Sequence, residues 1–347
     1  MKDLIKVGAA KLQLSIVIGL LLLPLADSAV AMEPSRVLGV ENCAECHEKE
    51  NDVWSKTKHA TSMKEISRHK KTDALKDLLG LKRITREESC ARCHFTNAYI
   101  SKKKALPGGE PPKPELKTVD AVSCEFCHGE AKDWGPVHGD YGGKKVTKEM
   151  ETAAHRADRI AKTKAGNLVG PKNMYLITKK CFSCHLLDDE KIANTKEHPI
   201  FTEHFEMVAW SQGDMRHNLW YSDGKKNVEA PIEKRRLYYV LGKTVSLEML
   251  LRALATSTED GPYRSTITKE MGSTLQDLQK IVGTGGPGEI SSILNVKGSA
   301  LNSKNLLESA EQVAEVSKRI AAKYDGKSLG SLDALLPKES DYKRLEK

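Results

Sequence analysis

Apolar positions change their rhythm along this chain. Leu14 to Leu25 is a dominantly apolar run, preceded by Lys2, Lys6 and Lys11 and followed by the small-residue site Ala29-Val30-Ala31. That layout is a secretory signal peptide, since a run of about a dozen residues falls short of the roughly 20 a spanning helix needs. Cleavage after Ala31 is expected, and with it export to the periplasm or beyond. From His47 through "EKENDVWSKTKHATSMKEI" there is no Pro or Gly and many helix formers, so one helix is expected there. "FTEHFEMVAWSQGDMRH" reads as a helix whose Phe205, Val208 and Trp210 pack on something flat and apolar. "ISKKKALPGGEPPKPELKT", Ile100 to Thr118, reads as a surface loop near the His94 motif. After about Glu233 the rhythm becomes helical. "EKRRLYYVLGKTVSLEMLLRALATS" predicts two segments broken at Gly242, and "GTGGPGE" predicts a hinge. "SKNLLESAEQVAEVSKRIAAKYDG" predicts an amphipathic helix with Leu306, Ala310, Val313 and Ile320 on one face and Gly326 as its C′ residue.

The expected organisation is a signal peptide at 1–31, a cofactor-bearing domain at 32–230 and a helical C-terminal extension at 231–347. The extension either packs over the preceding domain, which is the simpler reading, or offers a docking surface for a partner or membrane complex.

The cysteines change this picture most. All 8 fall in four pairs, each followed by histidine. The motifs are Cys43, Cys46, His47; Cys90, Cys93, His94; Cys124, Cys127, His128; and Cys181, Cys184, His185. Cys-x-x-Cys-His is the attachment signature of covalent haem c. Two thiols meet the two vinyl groups on one porphyrin edge, and the adjacent histidine ligates iron. Disulfides, four-cysteine zinc sites and thioredoxin-like pairs would also use paired cysteines. None of them needs histidine after every second cysteine. Four covalently bound haems are therefore expected.

Composition agrees with that. Hydrophobic residues are 39% and aromatics only 5%, a thin core that porphyrins would fill. The formal net charge of +8 would balance haem propionates. There is no nucleic-acid motif.

Seven histidines lie outside the motifs, and a second histidine on an iron closes it for electron transfer. His59 is twelve positions after His47, roughly 18 Å along a helix, so it is expected on a different haem from His47. His138 lies where Gly129, Gly135, Pro136 and Gly139 break any helix, and a loop can present it to an iron. His217 lies two turns after Trp210 on the expected helix, with His204 as its competitor. His69, His155 and His198 read as a solvated residue, a polar-helix residue and a loop residue.

"CAECHEKENDVWSKTKHATSM", "VSCEFCHG" with a later "HGD", and "CFSCHL" followed by "FEMV" resemble the tetrahaem cytochromes c of the five-fifty-four type from ammonia-oxidising bacteria. The likeness runs from about Asn42 to Trp220. It implies a mainly α fold, a multihaem cytochrome c with haems packed between helices and loops in close pairs. It also implies periplasmic electron carriage, fed in the ammonia oxidisers by hydroxylamine oxidation. His59, His138 and His217 would be distal ligands, and the haem on His94 would be five-coordinate. The chain departs from the family in its Lys/Pro/Gly-rich loop and its long C-terminal continuation.

The first expectation is an electron relay between redox proteins, more carrier than enzyme, with a membrane quinone complex among the candidate partners. The rivals are a reductase or oxidase of a small nitrogen or sulfur compound at an open His94 haem, and an oligomeric extracellular haem wire.

Overall fold

The structure is a computed structural model and describes residues 32–100, 115–201, 205–295 and 302–343. The leader run and His204 lie outside the described residues, as does most of the Lys/Pro/Gly-rich loop. The fold is mainly helical with one small two-stranded sheet. Among the described residues no helix is long and apolar enough to cross a membrane.

The first part of the chain is a series of short helices. They are α1 (Val40–Ala44), α2 (Glu48–Trp54), α3 (Lys58–Arg68), α4 (Lys70–Leu79) and α5 (Glu88–His94). The expected single helix after His47 is in fact α2 and α3. Thr57 breaks it: its hydroxyl accepts from Ala60 N and caps α3. A hairpin of β1 (Thr96–Ile100) and β2 (Glu115–Asp120) follows, with Asn97 opposite Thr118. The expected surface loop therefore has strand arms. The hairpin joins α5 directly to α6 (Cys124–His128) and so sets the second motif beside the approach to the third.

Next come α7 (Gly135–His138), α8 (Ala153–Ala165), α9 (Met174–His185), α10 (Glu190–Asn194) and α11 (Met207–Ser211). His138 is thus on a single helical turn, which Pro136 starts, rather than in an open loop. α11 ends at Ser211, short of His217, so the proposed two-turn spacing to Trp210 does not hold.

The last part is different. α12 (Ile232–Thr256) is 25 residues long and apolar on nearly every side, so it becomes the buried centre. It does not break at Gly242. A Cβ there would lie 2.8 Å from Met207 Cβ, so glycine lets α11 pack directly on α12. α13 (Pro262–Gly283) buries Tyr263, Ile267, Met271, Leu278 and Ile281. α14 (Ser303–Lys323) buries the expected Leu306, Ala310, Val313 and Ile320 and ends at Tyr324, placing Gly326 at C″ rather than C′. The expected hinge is a packed turn in which Gly286 N donates to Ile281 O at 2.8 Å.

These helices are not a separate layer. One apolar core contains Leu241, Leu250 and Ile320 together with Leu186, Ile192 and Met207 from the preceding segments. Polar contacts tie the same parts. Glu248 on α12 is fully buried; Lys179 Nζ of α9 lies 3.0 Å from it, Arg252 Nε 3.1 Å, and Tyr175 Oη donates to it at 2.9 Å. A buried carboxylate is tolerated only with such partners.

Candidate haem-binding site

The four attachment motifs take up similar local structures. Cys43 lies in the last turn of α1, with Cys46 and His47 in the turn that follows. The second and third motifs are α5 and α6 themselves, and the fourth forms the last turn of α9. A helical turn brings the two thiols of each motif to one side and leaves histidine at its end. After His128 the chain must turn sharply. Gly129 has φ +83°, and a Cβ there would sit 2.5 Å from Asn167 O, so only glycine fits.

All eight cysteines are free thiols. Their arrangement pairs the motifs. Helix α1 packs on α6, and α5 packs on α9, where Cys93 Sγ lies 3.9 Å from Ser183 O and Cys184 Sγ 3.7 Å from Arg92 O. Helix α6 also packs on α9. The Cys124 thiol and burial push Cys43 far above its ordinary range, and Cys184 with burial does the same to Cys93. Motif one therefore touches three, three approaches four, and four touches two.

Carboxylates hold this arrangement. Glu125, inside the third motif and buried, accepts from Leu38 N at 3.0 Å, Gly39 N at 2.8 Å and Ala131 N at 2.7 Å. Asp120 accepts from Val40 N at 3.0 Å, and burial raises its carboxyl above the usual range. Together they fix the start of α1 against α6. Glu125 was not singled out from sequence, where it looks like any acidic residue between two cysteines.

The histidines decide what the motifs can do. With a metal–imidazole bond of about 2.0–2.1 Å and about 1.1 Å from ring centre to nitrogen, two axial imidazoles on one iron have centroids about 6.2 Å apart. His47 and His138 are 6.1 Å apart, His59 and His185 6.0 Å, and His128 and His217 6.3 Å. These are the three distal histidines chosen from sequence, each now with a partner. His59 faces His185 of the fourth motif and not His47. The fourth motif histidine, His94, has His198 at 6.0 Å. His198 does lie on a loop, as expected, and it faces the one motif histidine to which the family resemblance assigned no second ligand.

Tautomers agree. A carbonyl only accepts, so a ring nitrogen bonded to one must carry its proton, leaving Nε2 free to bind metal. His128 Nδ1 donates to Val169 O at 2.9 Å, His138 Nδ1 to Gly135 O at 2.6 Å and His217 Nδ1 to Met215 O at 2.8 Å. His69 does the reverse: its Nδ1 accepts from Lys71 N at 3.2 Å, capping α4 on the surface. His155 Nδ1 donates to Glu151 at 2.9 Å. His59 Nδ1 is buried without a hydrogen-bond partner, an orphan polar atom that marks an incomplete site. Burial brings His94 down to about 4 and His185 down to about 3, and lowers His59, His128 and His198 too. Neutral imidazole is the form that ligates a metal. Thiol pairs, histidine spacing and tautomers together fit haem c.

Residues 42–129 match the family of cytochrome c554 and c-prime. This c554-type segment covers about a quarter of the chain. It spans the first three motifs and stops before His138, the fourth motif and the C-terminal helices. A cytochrome of this family carries covalently bound haem and serves electron transfer. No curated protein and no solved structure matches the chain. Haem supplies the one-electron redox chemistry when bound. The protein's part is to attach it by thioethers, fix the axial imidazoles and exclude water.

Proposed function

We propose that this protein is an exported tetrahaem c-type cytochrome that relays electrons between redox protein partners. The observation that carries the reading is the contact order of the four motifs. The motif helices pack in the sequence one, three, four, two, so the haems they attach would lie in a continuous row. A row of adjacent sites moves charge; a single isolated one would not. The attachment histidines His47, His94, His128 and His185 and the distal His59, His138 and His217 would hold iron in rigid coordination, which keeps reorganisation small. Ring hydrogen bonds from His128, His138 and His217 to backbone carbonyls lock those imidazoles in place. The basic chain, at formal +8, offsets the propionate charge that four haems would bring.

The test is the holoprotein isolated from the periplasm of a host that matures c-type cytochromes. Intact mass and haem content should give four haems per chain. Rapid-mixing reduction by a single-electron donor should reduce all four without isolated laggards. A haem that stays oxidised while the others equilibrate would sink the relay.

A further inference from the structure

We infer that His198 is the second axial ligand of the haem attached through Cys90, Cys93 and His94, and that the C-terminal helices hold it there. This rests on the tetrahaem reading and departs from the five-coordinate haem that the family resemblance implies at this motif.

Two independent features of His198 repeat those of His138 and His217. Its ring centroid is 6.0 Å from that of His94, within the 6.0 to 6.3 Å range of the other three pairs. Its Nδ1 donates to Pro199 O at 2.7 Å, as His138 and His217 donate to nearby carbonyls. The tautomer is thereby set and Nε2 is left for iron. Neither His69 nor His155 shows both features: neither faces a motif histidine, and the Nδ1 of His69 is an acceptor.

The loop that carries His198 is closed at its base. Leu186 pairs with Phe201, and Leu187 N donates to Ile200 O at 2.7 Å. On one side the loop is tied to the second motif itself, through the paired Arg92 and Asp188 side chains. On the other it is tied to the extension. The Glu190 carboxylate accepts from Ser257 Oγ at 3.0 Å and from Thr258 N at 2.8 Å, and Tyr263 Oη donates to Leu187 O at 2.9 Å. Ile192 and Ala193 are buried in the core shared with α12 and α13. The loop is thus clamped between the motif it would close and helices that lie far beyond the c554-type segment. With this ligand in place no haem keeps an open position, so both the small-molecule enzyme reading and the subunit-bridging wire lose their motive.

Low-temperature EPR with spin quantitation on oxidised holoprotein tests this, with carbon monoxide titration of the reduced form and haem content measured on the same sample. The expected wild-type result is four low-spin haems and no carbon monoxide bound. His198→Ala should give one high-spin haem and one equivalent of carbon monoxide per chain, and added imidazole should reverse the spin change. Wild-type protein with four haems, one of them high-spin and binding carbon monoxide, would overturn the inference and leave the relay reading intact. A haem count of three, lacking the one at Cys90 and Cys93, would overturn both. Even if the variant fails to accumulate, a high-spin haem in the wild-type spectrum overturns the inference.

Discussion

The two ends of this molecule reach a folded state by different means. From α12 onward the chain is built around its own side chains. Leu241, Leu250, Ile267, Leu278, Val313 and Ile320 are all fully buried and close on one another. Residues 32 to 230 are built from helices mostly of five to thirteen residues, whose buried aliphatics are fewer and whose interior is lined with imidazoles and thiols. Such short helices have little stability alone. Their helix ends, carboxylate braces and histidine pairs surround positions where haem would supply the apolar mass. One region has a core of side chains, which it shares with segments from α9 to α11; the motif-bearing segments have a mould for haem.

The largest effect should come from withholding the cofactor. Serine at Cys124 and Cys127 removes the central attachment in the row. The expected outcome is loss of ordered structure across residues 32–230, read as protease cleavage there, while the α12–α14 core keeps its helical circular dichroism. Cleavage spread evenly through both regions would erase the contrast. Glu248→Ala tests the seam between them. It removes the buried carboxylate that Lys179 and Arg252 share and leaves Arg252 with Glu311 at the rim, so a loss of about 3–5 kcal/mol in chemical denaturation is expected. A loss below about 1 kcal/mol would mean that the seam is held by apolar packing alone.

The smallest effect is a pH dependence confined to the cofactor-bearing region. The Arg159 guanidinium, with help from His155, holds the Glu151 carboxyl down to about 2 from its ordinary 4.5. Because the folded value is depressed, its stabilising effect is complete above pH 4.5 and is lost as pH falls through about 2. Glu151→Gln should therefore lower the thermal midpoint at neutral pH and flatten its fall across that acid window. An unchanged acid slope would show that the ion pair does not hold α8 to its preceding loop.

Much of the site was legible without coordinates, and the reason is chemical. Haem attachment constrains residue type and spacing within five consecutive positions, so all four motifs read directly. His59, His138 and His217 could be chosen because each lies beside recognisable local features. His198 has none. It follows a short helix and precedes Pro199, and what makes it a ligand candidate is a loop whose ends are fixed by Glu190 to Ser257 and by Tyr263 to Leu187. The resemblance left the His94 haem five-coordinate, and nothing nearby in the chain pointed to His198.

The helices show the same division. The apolar stripe of α14 appears correctly from its spacing, since burial on one face leaves a periodic trace. Gly242 was misread as a helix break because its reason lies in another element: Met207 needs the space where a Cβ would be. Local chemistry, meaning covalent attachment, helix periodicity and the polar character of the first region, is carried by residue types at short range and was determined by the sequence alone. Which imidazoles face each other, and what role the C-terminal helices take in holding them, depends on contacts between residues tens of positions apart. Those contacts leave no periodic trace, and only the tertiary structure decided them.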